Sequence, residues 1–337
     1  MKKDIQIGLA VIAIFSICGN CGIIMAAENE EEIMLADPTI FPYEGKYYMA
    51  GTQGGNPAGF TVYESDNLIN WYSTDSLPNL SVGKSIFGTS GFWAPQFIQL
   101  DGKTGMLYTA NEQVAIAHAD SINGVYTGTE LPIDASEKNI DPFLFRDDDG
   151  KYYLYHVRFN KGNYIWVGEY DIKNNAIIPG TLKQALYNDQ AWEDTGVFES
   201  VPIMEGPTVI KLKDTYYLFY SANHFMSPDY AVGYATAKSP SGPWIKNPAN
   251  PIIHRNIVGE NGAGHGDVFI DSDRKYRYVY HVHNSDSIVS PRRTRILSLN
   301  LVPSDNDTIP FEITVDTGKI IKPVKKTGVE IFVRQGD

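Results

Sequence analysis

One strand-opening phrase occurs five times along this 337-residue chain. It starts at Asp37-Pro38, Ala94-Pro95, Asp141-Pro142, Gly206-Pro207 and Gly264-His265, and each time a short apolar run, a polar turn and an aromatic strand follow. The turns read YEGK, LDGKTG, DDDGK, KLKDT and DSDRK, rich in the Asp and Gly that tight hairpins require. A third strand recurs after each hairpin, as GFTVYESD, QVAIAHAD, IWVGEYD, AVGYATAKS and TRILSLN. Several of these run on into a turn and a further aromatic, as in NLINWYS and PSGPWIK. Units of three or four strands repeating every roughly 50–65 residues are propeller blades. The expected fold is all-β, a single five-bladed β-propeller over residues 28–337. A β-sandwich has no reason to repeat one Pro-marked strand start five times.

The first 27 residues stand apart. Lys2 and Lys3 precede an apolar stretch that exits through Ala26-Ala27 into an acidic run, the pattern of a signal peptide cleaved near Ala27. Gly19, Asn20 and Gly22 interrupt the apolar run, which argues against an anchor helix. The expected location is secreted or periplasmic. Cys18 and Cys21 leave lipoprotein anchoring as an alternative, although Ile17 and Asn20 before them are not small. Both cysteines fall in this leader, so the mature chain is expected to hold no disulfide, thiolate metal site or cysteine nucleophile. A formal charge of −12 opposes nucleic acid and anionic membrane surfaces as partners and suits a neutral polymer such as a polysaccharide. Oligomeric state is not legible.

Asp37, Asp141 and Glu205 sit at the mouths of inner strands in blades one, three and four. The residue before Pro favours extended conformations, so each mouth is expected to be an extended entry with its carboxylate aimed at the axis. Asp before Pro alone would read as a turn bonding its own backbone. DDDG at 147–150 fits that plainer reading, a solvated hairpin turn without the ligand spacing of a calcium loop. Three like charges gathered on one rim, in one phase of the repeat, must shift in protonation. Carboxylates with separated pKa values are what glycosidic cleavage needs.

The motifs ADP, WAP, IDP, EGP and GHG, one per blade in that order, resemble glycoside hydrolase family 43 over essentially the whole mature chain. The resemblance implies Asp37 as general base, Glu205 as general acid and Asp141 as the residue that tunes and orients Glu205, with inversion at the anomeric carbon. The fructan- and sucrose-cleaving propellers are the neighbouring plan, but there Asn precedes the first Asp-Pro and Cys follows the catalytic Glu. Here Ala36 and Gly206 hold those places.

The resemblance also suggests Trp93 as a wall stacking on sugar, with a hub-core Trp as the alternative. It places Arg292 of SPRRTRILSL near sugar hydroxyls, and strand alternation aims Arg293 and Arg295 the other way. His265 is expected near the axis, either contacting substrate and supporting a structural calcium through water or buried as a neutral imidazole. No cofactor is required. Asn223 and His224 belong to a loop over blade four. The implied partner is a pentosan oligo- or polysaccharide, and the implied activity is release of arabinofuranosyl or xylosyl units. An endo-acting α-1,5-arabinanase and a non-catalytic sugar-binding propeller are the alternatives.

Overall fold

The computed structural model describes residues 30–326 except 56, 74–77, 101, 198–200 and 306–307. The leader and both cysteines therefore lie outside the described residues. The five repeats are five antiparallel sheets set around one axis. Their innermost strands are Ala36–Tyr43, Trp93–Leu100, Asn139–Arg146, Met204–Leu212 and Gly264–Ile270. Each pairs through its polar turn with an aromatic second strand, Lys46–Thr52, Lys103–Ala110, Tyr152–Phe159, Thr215–Ala222 and Tyr276–Val282 in order. The third strands lie where the repeat puts them, although that of blade one is only Tyr63–Ser65.

Blade one carries two extra strands on its outer edge. Val324–Lys326 runs parallel to Asn70–Ser73, and Glu30–Glu32 pairs antiparallel with Val324–Lys326. An ion pair between Lys326 and Glu30 fastens this edge.

The many aromatics fill the gaps between blades. Among the described residues five apolar clusters exist, one for each blade boundary, such as Phe41 and Ala50 of blade one with Phe97 and Tyr108 of blade two. Tyrosine suits these places because its ring is buried while its hydroxyl reaches a polar partner. Tyr217 and Tyr234 of blade four do so across the boundary with blade five, donating to Phe311 O at 2.7 Å and Glu312 Oε2 at 2.9 Å.

The strand mouths differ from the expected extended entry. Asp37, Ala94, Asp141, Gly206 and His265 all have positive φ, between 38° and 60°, and each stands at a β-bulge. A bulge bends its strand and re-aims the neighbouring side chains. Here that requirement overrides the local preference of a residue before Pro. The bulge also corrects the phase of Glu205. Gly206, not Glu205, is equivalent to Asp37 and Asp141, and Glu205 stands one residue earlier, in register with Ala36, Trp93, Ile140 and Gly264. A side chain cannot occupy position 206 without strain: φ is +60°, and a Cβ there would lie 2.9 Å from the His265 ring.

DDDG is likewise more than a solvated turn. Asp147 receives Lys211 Nζ at 2.8 Å and the Tyr216 hydroxyl at 2.7 Å, tying blade three to blade four.

Candidate active site

The bulges bring Asp37, Asp141, Glu205 and His265 together at one end of the axis, all nearly buried. Below them a narrow void of about 20 Å³, lined by Pro38, Pro95, Pro142 and Pro207, leads down to Asp267. Asp267 is held by the hydroxyls of Thr39 and Thr208, at 2.7 and 2.6 Å, which closes the hub from blades one, four and five.

Asp37 is surrounded by donors. The Thr52 hydroxyl donates to Oδ2 at 2.6 Å and Arg292 Nη1 to Oδ1 at 3.2 Å, while His265 Nδ1 lies 3.3 Å away. Its backbone N–H donates to His281 Nδ1 at 3.1 Å. Burial alone would push this carboxyl up, but Arg292, His265, His281 and Thr52 together hold it well below the usual carboxylate range. Asp37 is ionised.

Glu205 has the opposite surroundings. Burial raises it to about 7, helped by the charge on Asp37 and opposed by the Tyr230 hydroxyl and Arg292. Tyr230 donates to Oε1 at 2.7 Å and stacks on His281 at 5.7 Å, so one aromatic ring links the surroundings of both carboxylates. Asp141 is raised as well, first by burial and then by the charges of Glu205 and Asp37. Its Oδ2 accepts the Gly206 N–H at 3.2 Å, and that donor opposes the rise. Two carboxyls this closely linked share protons rather than ionising independently.

Arg292 faces the site and is covered by the Phe225 ring, 4.9 Å from its guanidinium. Arg293 and Arg295 point away, as alternation requires, but not into solvent. Both bind Glu260, and Arg295, fully buried, also pairs with Glu32. Trp93 is 36% exposed at the rim, in the register position that Glu205 occupies in its own blade, and so stands clear of the hub core. Asn223 organises its loop, accepting from the Thr195 N–H at 3.0 Å and donating to Trp192 O and Asp229 O. His224 stacks on Phe225 at 4.8 Å.

His265 is kept neutral by burial, with Asp37 pulling the other way. Its Nδ1 faces Asp37 and Asp141, and no group of three or more His, Cys, Asp or Glu suited to a metal exists among the described residues. Calcium takes 6–8 oxygen ligands, so these side chains alone do not fit a calcium cage.

Glycosyl hydrolases family 43 is the family whose sequence profile matches residues 32–305. The chain belongs to that family. Its fold superposes on an endo-1,4-β-xylanase of Bacteroides thetaiotaomicron with a TM-score of 0.80, at 35% identity over 89% of this chain and 99% of the other. A xylosidase/arabinosidase of Butyrivibrio fibrisolvens is 33% identical over 72% of this chain and 48% of its own length. An extracellular endo-α-(1→5)-L-arabinanase of Bacillus subtilis (strain 168) is 26% identical over 72% and 55% respectively. The chain spans about half the length of the curated relatives it matches.

Thr52, Tyr230 and His281 also touch the carboxylates and Phe225 covers Arg292, and no repeated motif marks any of them. Thr52 and His281 had a usable signal: they stand near the ends of aromatic strands, opposite the residue before the bulge. Tyr230 and Phe225 had none.

Proposed function

We propose that this protein is an inverting glycoside hydrolase that releases xylosyl or arabinofuranosyl units from plant cell-wall pentosans. The observation that carries this reading is two buried carboxyls at one rim in opposite surroundings, Asp37 among the donors Thr52 and Arg292, which hold it low, and Glu205 pushed up by burial to about 7. In the proposed reaction Asp37 takes a proton from a water as that oxygen bonds to the anomeric carbon. Glu205 gives its proton to the departing glycosidic oxygen, so the bond between that oxygen and the anomeric carbon breaks. Attack opposite the leaving group inverts the centre. Asp141 orients Glu205 and discourages its ionisation. Arg292 secures Asp37 and offers a donor to sugar hydroxyls, and Trp93 supplies a face for stacking.

Endo-cleavage of arabinan is the second reading, favoured by the likeness to the Bacillus arabinanase. Incubation with aryl β-xylosides, aryl α-arabinofuranosides, xylan and linear arabinan, with chain-length analysis of the products, tests both. Monosaccharide release supports the first reading, and internal oligosaccharides support the second. Binding without cleavage would leave a sugar-binding propeller. We also propose export through the leader at residues 1–27, which N-terminal sequencing of the mature protein tests.

A further inference from the structure

A ring of hydrogen bonds joins the bulges to one another. In each blade the bulge residue stands next to the second strand of the preceding blade. The N–H of Ala94 donates to Thr52 Oγ1 at 2.9 Å, that of Asp141 to Thr109 Oγ1 at 3.0 Å and that of His265 to Ser221 Oγ at 2.8 Å. The Asp37 N–H donates to His281 Nδ1 at 3.1 Å and closes the ring. The four acceptors occupy one register position, opposite the residue before the bulge.

The fifth boundary breaks the pattern. In blade three that register position, opposite Ile140, is Val157, fully buried and without an acceptor. The Gly206 N–H goes to Asp141 Oδ2 instead, at 3.2 Å. The boundary between blades one and two shows what a hydroxyl would change. There Thr52 stands between bulge and carboxylate, accepting from Ala94 and donating to Asp37 Oδ2 at 2.6 Å.

We propose that Val157 is a positioning residue: by withholding an acceptor from the Gly206 N–H, it makes that N–H clamp the Asp141 carboxylate against the residue next to Glu205. A backbone N–H only donates, so it favours the ionised carboxylate. A hydroxyl donates or accepts and serves both forms. The clamp thus moves the shared proton toward Glu205, against the burial and the neighbouring charges that raise Asp141. The other groups facing the pair are Asp37, His265, Arg292 and Tyr230, with Asn163 also on Glu205. None of them contacts Asp141 through a backbone donor.

The inference rests on the glycosidase reading for its kinetic consequence only. Val157→Thr supplies the missing acceptor at nearly unchanged volume, and Val157→Ser supplies it with less bulk. In both, the basic limb of the kcat/KM profile on an unactivated pentoside moves to lower pH by about one unit, the scale of a hydrogen bond to a charged group. Val157→Ala adds no acceptor, so its melting temperature falls and its basic limb stays in place. The Gly206 amide proton, read by NMR after ¹⁵N-glycine labelling, tracks carboxyl titration in the wild type and stops doing so in Val157→Thr. A folded Thr or Ser variant with an unmoved limb and a still-titrating Gly206 amide overturns the proposal, as does an equal shift in Val157→Ala. If the wild type cleaves no glycoside, the glycosidase reading fails and the amide titration still decides the clamp.

Discussion

Replacing Glu205 by Gln should stabilise the protein, and by an amount that grows with pH. Burial holds this carboxyl at about 7 against an ordinary value near 4.5. A group raised on folding contributes stability that is fully present below the unfolded value and is lost as pH rises through the folded one. At about 1.4 kcal/mol per pH unit, that gap corresponds to about 3 kcal/mol lost between pH 4.5 and 7. Gln keeps the shape and the acceptor for the Tyr230 hydroxyl but never ionises. Urea unfolding of both proteins from pH 4.5 to 8 should therefore give nearly equal stabilities at the acid end. Above pH 7 the variant should be ahead by about 3 kcal/mol. Asp141 adds to the effect in the same direction, because it ionises more readily beside a neutral neighbour. A stability difference that stays flat with pH would refute the reasoning, since Glu205 would then be an ordinary carboxylate.

The kinetics of the same variant should separate acid from base: Glu205→Gln loses cleavage of natural glycosides but retains more on activated aryl pentosides, whereas Asp37→Asn loses both alike. Steady-state rates on the two substrate types check this. Tyr230→Phe removes a donor that favours the Glu205 anion, so the basic limb of the pH–rate profile should rise from about 7 by about one unit. If His265 supports calcium through water, chelator should lower the melting temperature and added calcium restore it. Unchanged melting is the result the side-chain donor set favours.

The blade count, Asp37 and Asp141 were legible because they are written in repeated strand-opening phrases, where Pro, Asp and Gly recur at fixed offsets, and Glu205 was found beside the same phrase but out of its phase. The bulges were not. Their positive φ contradicts the local preference of a residue before Pro and is imposed by packing around the axis. Missing them hid the one-residue offset of Glu205, whose blade has Gly206 at the bulge, where a Cβ would lie 2.9 Å from the His265 ring. The expected separation of Arg292 from Arg293 and Arg295 holds, although Arg292 lies just before the strand, and only the fold brings Glu260 to both of the latter and Glu32 to Arg295. Tyr230 lies 25 residues from the Glu205 it bonds, in a loop with no periodicity to read.

Blade one has a different history from its neighbours during synthesis. Five of the six strands in its sheet come from residues 30–73, yet its outer edge stays open until Val324–Lys326 arrives to receive Glu30–Glu32. Bringing such distant segments together costs about 5 kcal/mol in loop closure for a chain of roughly 300 residues, unless the intervening blades form first and carry the ends toward each other. Prior formation of blades two to five therefore lowers the cost of closing this clasp. Until the two blades meet, Asp37, on blade one, lacks a fixed place beside Arg292 and His281 of blade five. The half-site that holds Asp37 is thus shared between the two ends of the chain, and it is complete only when blade one and blade five lie side by side.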